Sequence, residues 1–374
     1  MRGIRGDLCL FTITLLLTAA GLVMVYSASS IMAQERFGDG YFFLKKQVLF
    51  AGIGILGMVL LSRMPYGFLK NMAYPGMLLS ILLLLLLSIP GFGIRAGGAT
   101  RWLRLGGFAF QVSEVVKVFL VIFLAAFLSR KEEHIREFRR IFLVPLGVLA
   151  VIVLLVLRQP DFGTSVLLCA ITFLVFYLAG CRIVHLTGLL LLALPGAVYI
   201  LIFEPYRLKR LLAFLKPWEH ATDSGFHIVQ SFISFGSGGL FGVGLGNSTQ
   251  KLFYLPEPHT DFILSVVAEE MGLAGVTVLL VLFFVLIARG FVIASRADDR
   301  FGFILASGLT VLIALEVFIN VGCAMGLLPT KGLPLPFISY GGTSLVASLA
   351  AVGLLMNISL TRRGGDREKT GGSP

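Results

Sequence analysis

Charge is scarce in this sequence. Only 14% of its 374 residues are Asp, Glu, Lys or Arg, against 57% hydrophobic ones, whereas soluble domains carry about a quarter charged residues. That balance excludes an ordinary soluble globular fold. Cysteine is also sparse: Cys9, Cys169, Cys181 and Cys323 lie in or beside apolar segments with no C-x-x-C spacing, and so read as small buried apolar residues, not disulfides or metal ligands. The five histidines form no H-x-x-x-H or H-x-x-E-H arrangement, so no zinc site is expected. No spacing assembles a Ser-His-Asp triad, and no apolar run shows the strict alternation of a membrane β-barrel. The net charge of +11 is scattered over many short loops; it suits anionic lipid, not a nucleic-acid face with aromatics between its cations.

What the chain does have is long apolar runs. Those near the roughly 20 residues that a helix needs to cross the hydrocarbon fall at 8–32, 46–64, 72–92, 112–129, 141–157, 162–180, 184–203, 262–289, 301–325 and 341–361. The first run, behind Arg2 and Arg5, would pass alone for a signal peptide, but with the others after it, it reads as a first span. The fold class expected is an all-α polytopic integral membrane protein with about ten transmembrane helices, one domain over residues 1–374, and a flexible cytoplasmic tail at 362–374. An even number of spans puts both termini on one side. With the termini inside, 17 of the 31 cations are cytoplasmic, most clearly in the short loop 130–140 and the tail, as the positive-inside tendency requires. The cations left outside, among them Arg95, Arg101, Arg104, Arg158, Arg207, Arg210, Lys251 and Lys331, suggest an anionic ligand on that face.

One connection stands apart from the short ones. The segment 204–260 is long enough to be functional, and its Phe, Leu and Ile content argues against disorder. Residues 206–216 place Leu208, Leu211, Leu212 and Leu215 on one face and Arg207 and Arg210 toward another, the pattern of a helix lying in the membrane interface. The run Phe235-Gly-Ser-Gly-Gly-Leu-Phe-Gly-Val-Gly-Leu-Gly-Asn247 lacks the Gly-Lys-Ser/Thr ending of a phosphate loop and any preceding strand pattern; its glycines point to a re-entrant or closely packed backbone. The loop ends in Tyr254-Leu-Pro-Glu-Pro-His-Thr-Asp-Phe262, where Pro256 and Pro258 keep the chain extended up to His259. Asp261 then stands where the helix turns in, a place suited to an N-cap, to a catalytic carboxylate, or to both.

Ionisable groups within spans are costly enough to be functional hypotheses. Glu114 and Lys117, three apart, share a helix face and can neutralise each other. Pro160 is expected to start the sixth helix with Asp161 capping its first turn. Glu269 and Glu270, two turns below Asp261, should repel each other unless one is protonated or paired. Glu316 and Asn320 form another polar spot four residues apart.

Taken together, these motifs resemble the SEDS family (shape, elongation, division and sporulation), the membrane polymerases of bacterial peptidoglycan. The resemblance is carried by Gly21-Leu-Val-Met-Val-Tyr-Ser-Ala-Ser29, Thr100-Arg-Trp102, Ser113-Glu114 with Lys117, Gln159-Pro-Asp-Phe-Gly-Thr164, Gln230-Ser231 with the Gly-rich run, Pro256-Glu-Pro-His-Thr-Asp-Phe262, and Leu328-Pro-Thr-Lys-Gly-Leu-Pro-Leu-Pro-Phe-Ile-Ser-Tyr-Gly-Gly342. Residues 244–251 and 329–332 look more like the division-type than the elongation-type members. Val112, His227 and Glu316 depart from the family pattern, which has Pro, Gln and Gln there.

The resemblance implies glycosyl transfer from lipid II in the bacterial inner membrane, with Asp261 as the functional aspartate. Lys117, Arg101 and Arg210 are expected to hold the donor pyrophosphate, with Glu114 orienting Lys117. Trp102, Arg207, Gln230, Ser231, His259 and Thr260 complete the expected substrate-binding set. No cofactor is firmly implied; Asp261 with substrate phosphates could hold a divalent cation, Mg²⁺ or Mn²⁺. The implied partners are a class B penicillin-binding protein transpeptidase and other division proteins. Two rival readings are a lipid II flippase, which needs a polar path through the bundle, and a non-catalytic division scaffold, which needs no fixed carboxylate.

Overall fold

The computed structural model describes residues 7–89, 91–96, 99–105, 108–202, 205–223, 225–251, 258–330 and 332–370. Its helices are α1 (Leu8–Phe37), α2 (Phe42–Ser62), α3 (Tyr66–Leu87), α4 (Val112–Arg130), α5 (Phe138–Arg158), α6 (Phe162–Leu178), α7 (Ile183–Ile202), α8 (Pro205–Leu215), α9 (Phe226–Gly238), α10 (Ile263–Ser295), α11 (Arg300–Ala324) and α12 (Gly342–Thr370). Among the described residues eight helices, α1 to α5 and α10 to α12, are long and apolar enough to cross a membrane, while α6 and the Ile183–Gly196 stretch of α7 are shorter apolar helices. Each overlies one of the expected spans. The ends move where the helix continues past the charged or polar residues that bounded the expected spans: α1 runs through Gln34, Glu35 and Arg36 to Phe37, and α10 past Arg289 to Ser295. The helical backbone of α12 continues to Thr370, into the segment read as a tail.

Local chemistry sets several boundaries. Asp7 caps α1 by accepting from the Leu10 N–H at 3.2 Å, and Gly38 ends it in the left-handed region. Asp299 caps α11 through the Gly302 N–H at 2.9 Å. Such caps satisfy backbone groups that a helix end leaves without partners. The residues just before α6 depart from expectation. Asp161 is the N-cap, accepting from the Thr164 N–H at 3.1 Å and its hydroxyl at 2.9 Å, so the helix starts at Phe162 and Pro160 precedes the cap.

The fold is not wholly helical. Between α3 and α4 lies a three-stranded antiparallel sheet in the order β1 (Gly93–Ala96), β2 (Ala99–Leu105) and β3 (Phe108–Gln111). Ile94 pairs with Trp102, and Trp102 in turn with Gln111. The signal for it was in the sequence: Gly97-Gly98 and Gly106-Gly107 separate the strands, and such pairs favour two-residue hairpins. The Gln111 N–H donates to the Thr343 hydroxyl at 3.1 Å, tying the sheet to the first turn of α12.

The centre of the bundle is α4, α11 and α12. Their apolar windows are 78%, 78% and 72% buried, against 22–44% in the other five long helices. α4 packs against α3 and α11, α12 against α2, and α10 against α11 and α9. The glycine run does allow close backbone packing. A methyl at Gly238 would collide with the Ala268 carbonyl, and one at Gly242 with that of Glu270. Opposite them α10 is broken at Gly272, whose φ of 65° is left-handed and suits glycine.

Candidate active site

Five segments converge at the end of the bundle where α10 begins. Residues 258–262 form the turn into α10 and are held from three sides. Asn320 of α11 donates to the Asp261 carbonyl at 2.9 Å and to the Leu333 carbonyl at 2.8 Å. The Ser339 hydroxyl donates to the Thr260 carbonyl at 2.6 Å, and the Tyr340 N–H to the His259 carbonyl at 2.8 Å. Gln47 of α2 donates to the Ser339 carbonyl at 3.1 Å. The backbone around Asp261 is therefore fixed by α11 and by the segment before α12, which Gln47 of α2 holds in turn, while Asp261 remains half-buried.

Asp261 is not the helix cap. The N-cap of α10 is Phe262, which makes no side-chain cap bond. The Asp261 carboxylate is turned toward the 329–333 segment: a Cβ built at Gly332 would stand 3.2 Å from Oδ2. Arg210 of α8 reaches the same segment, donating to the Thr330 carbonyl at 3.3 Å. Arg210 and Asp261, a cation and a carboxylate, thus reach Thr330 and Gly332 respectively, two residues apart in the chain. The side chains of Arg207 and Lys331 lie outside the described residues.

His259 is buried between two rings, with centroids 4.4 Å from Phe43 and 5.4 Å from Tyr340. Burial, helped by the nearby Arg36 charge, pushes its pKa down to about 4. His227 stacks on Phe262 at 5.5 Å, and its pKa is lowered by burial and then by the Arg210 charge. A buried neutral histidine ties stability to pH. Unfolded, His259 titrates near 6.5, so between pH 6.5 and 4 the unfolded chain binds a proton that the folded chain does not. Stability is expected to be full above about pH 6.5 and to fall by up to ~3 kcal/mol toward pH 4. Melting in detergent at stepped pH checks this: His259→Gln should flatten the slope, leaving the smaller part due to His227.

The other expected site residues divide into three groups. Arg101 in β2 donates to the Pro160 carbonyl at 2.7 Å and pairs with Asp161 at 3.5 Å, so it braces the sheet against the start of α6, with Trp102 half-buried beside it. Lys117 lies inside the bundle. Its ammonium is 2.8 Å from a Glu114 carboxylate oxygen and also pairs with Glu316 of α11. The space beside this triad is about 10 Å³, no more than one water requires. Lys117 thus bonds within the α4–α11 core, whereas Arg101 reaches the start of α6 and Arg210 the Thr330 carbonyl. Ser231 is wholly buried: its hydroxyl lies 2.6 Å from that of Ser265 and bonds to the Ala324 carbonyl, fastening α9 to α10 and α11, while Gln230 stays half-buried.

The residues that build the turn were visible in sequence, but not their role in it. Ser339 and Tyr340 stood within the Leu328–Gly342 motif. Asn320 was visible as a polar residue in a span, and its partners come from distant segments. Among the described residues no three His, Cys, Asp or Glu side chains gather into a metal cluster. A divalent cation at Asp261 would take its remaining ligands from substrate.

Known proteins carry the same architecture. Residues 7–364 match the family model for the FtsW, RodA and SpoVE proteins, described as cell cycle proteins. The chain is 46% identical over 365 residues to a probable peptidoglycan glycosyltransferase FtsW of Geobacter sp. strain M18, covering 97% of this chain and all of that one. It is 45% identical to the stage V sporulation protein E of Bacillus subtilis over 94% of this chain and 96% of the other. Among solved structures, a chain from work on structural coordination of polymerization and crosslinking by a peptidoglycan synthase complex superposes with a TM-score of 0.79 at 30% identity, covering 96% of this chain and 99% of that chain. The Thermus thermophilus rod shape determining protein RodA follows at 0.71 and 29% identity, covering 96% and 97%. With a match over nearly its whole length, this multi-pass membrane chain belongs to the FtsW/RodA/SpoVE family of cell cycle proteins.

Proposed function

We propose that this chain is a peptidoglycan glycosyltransferase that polymerises lipid II into glycan strands at the outer face of the bacterial inner membrane, in the division-type role, with both termini cytoplasmic. The observation that carries the reading is the half-buried Asp261 carboxylate on a turn clamped by Asn320, Ser339 and Tyr340. In the reaction the 4-hydroxyl of the acceptor sugar loses its proton to Asp261 and attacks the anomeric carbon of the donor. The bond from that carbon to the pyrophosphate oxygen breaks, and configuration inverts from α to β. A weakly acidic alcohol needs such a base, and a base works best when its position is fixed beforehand. The leaving pyrophosphate needs positive charge, which Arg210 supplies beside the 329–333 segment.

A flippase would use a polar path through the bundle. The polar groups in the core are instead paired with one another: Lys117 with Glu114 and Glu316, and Lys251 with Glu270. Purified protein incubated with fluorescent lipid II separates the two. A ladder of glycan products supports the polymerase; transfer of lipid II between leaflets without any ladder would make the chain a transporter.

The partner that fits is a single-span transpeptidase of the class B penicillin-binding type, since a similar chain comes from work on a peptidoglycan synthase complex that coordinates polymerization and crosslinking. Of the apolar helices α10 and α11, α11 is largely internal, whereas α10 leaves Leu273, Val278, Val281 and Phe284 exposed and is the better docking face. Co-reconstitution at equal lipid II is expected to raise the polymerisation rate, since a bound domain can shift the turn and α8 toward a competent state. Equal rates with no co-purification in detergent would remove the partner from the account.

A further inference from the structure

The break in α10 is held by charged groups that the proposed chemistry does not use. An unbroken helix would pair the Leu273 N–H with the Glu269 carbonyl and the Ala274 N–H with that of Glu270. Here the glycine-rich segment has inserted into that ladder. Leu273 and Ala274 donate to the Gly239 and Leu240 carbonyls at 2.9 and 3.0 Å, while the Glu269 and Glu270 carbonyls accept from the Val243 and Gly244 N–H groups, both at 3.0 Å. These four backbone groups, two donors and two acceptors, are thus satisfied by the loop, as burial requires.

The two glutamate side chains extend the attachment to different partners. Glu270 pairs with Lys251 at 2.8 Å, and Ser27 of α1 lies 2.7 and 2.6 Å from its two oxygens. Glu269 accepts from the Ser248 hydroxyl, from the Thr249 N–H at 2.9 Å and from the Thr249 hydroxyl at 3.0 Å. Glu269, Glu270, Lys251, Ser27 and Ser248 are all buried. The short outer piece of α10, Ile263 to Met271, is thus a lever. One end carries the Asp261 turn; the other is locked to the loop and to α1.

We propose that Glu269, Glu270 and Lys251 form a latch that sets the position of Asp261, acting as positioning residues for the transfer reaction. The inference rests on Asp261 as the base for its kinetic consequence, but not for its structural one. With the latch intact, the turn is held from both ends: by Asn320, Ser339 and Tyr340 above and by the locked break below. Lys251→Met leaves Glu270 buried with Ser27 alone, which frees the lower end while the residues that would touch substrate stay in place.

The test combines kinetics with amide hydrogen exchange on the full chain in detergent. Lys251→Met is expected to lower kcat by about tenfold or more with KM within about threefold, since an oriented group is misplaced and no binding contact is removed. Exchange of residues 258–262 should rise about tenfold while that of α4 stays at the wild-type level, the signature of local opening. Lys251→Arg, and the double variant Lys251→Met with Glu270→Gln, should each recover kcat and protection to within about threefold, because the buried charge is again matched or removed. If Lys251→Met yields no folded protein, Glu269→Ala is read the same way, with Glu269→Gln as its conservative rescue. Unchanged kcat together with unchanged exchange at 258–262 would overturn the latch, as would exchange rising equally across the bundle. Should the wild type itself make no polymer, the assignment of Asp261 fails while the exchange result still decides the latch.

Discussion

Lys117→Met is expected to destabilise the protein by about 3–5 kcal/mol, the usual cost of leaving a buried charge without its partner. The ammonium is 2% exposed and stands between Glu114, 3% exposed, and Glu316, 7% exposed. Two buried carboxyl groups share the one ammonium. The companion substitution therefore has the opposite sign: Glu316→Gln removes one of the two, keeps an acceptor for Lys117 with Glu114 as its partner, and should leave stability unchanged or raise it. Lipid II use should fall by about tenfold or more in Lys117→Met, as expected for losing a charge-assisted contact to phosphate. The space beside Lys117 is about 10 Å³, so a direct contact with phosphate requires α4 and α11 to part. Thermal unfolding and apparent lipid II affinity, measured on both variants, separate the roles. A stability loss with unchanged affinity makes Lys117 structural, and an affinity loss in Lys117→Met that Glu316→Gln does not share makes it a phosphate ligand.

The largest effect on catalysis is expected at Asp261. Asp261→Asn keeps the size and hydrogen-bonding reach of the side chain and removes its basicity, so polymerisation should drop by about 10²- to 10⁴-fold, the range that a positioned general base contributes. Stability should hardly change. Phe262, not Asp261, occupies the N-cap of α10, and the bond from Asn320 goes to the Asp261 backbone carbonyl, which the substitution leaves in place. Asn320→Ala should behave differently, since it releases the turn from above while leaving the carboxylate intact. A fall in kcat larger than the rise in KM would mark it as a positioning residue.

The sequence made legible what depends on composition and on local chemistry. Apolar runs of span length marked the helices, because a bilayer admits little else, and Asp161 was readable as a cap because its partners lie three residues away. Glu114 and Lys117 were readable as a pair for the same reason. That Glu316 completes them was not, because it comes from a helix 199 residues away in sequence. The sheet between α3 and α4 escaped because its strands are short, and counting apolar residues is blind to runs of that length; only the Gly-Gly pairs announced it. The role of Asp261 as a cap was misjudged by one residue, the uncertainty normal at helix ends. Close packing of the glycine run was foreseeable from its lack of side chains, whereas its insertion into the α10 ladder depends on Gly272, a single glycine that looks ordinary within an apolar helix. The clamp on the turn consists almost wholly of side chain to backbone bonds between distant segments, and such bonds leave no trace in local pattern.

The role of Asp261 is tested most directly by one comparison: wild type and Asp261→Asn, purified in the same detergent, matched in melting temperature, and given the same fluorescent lipid II. The expected result is a ladder of glycan strands from the wild type and a rate at least about a hundredfold lower from the variant, with lipid II still bound. Polymer made at near wild-type rate by Asp261→Asn would contradict it.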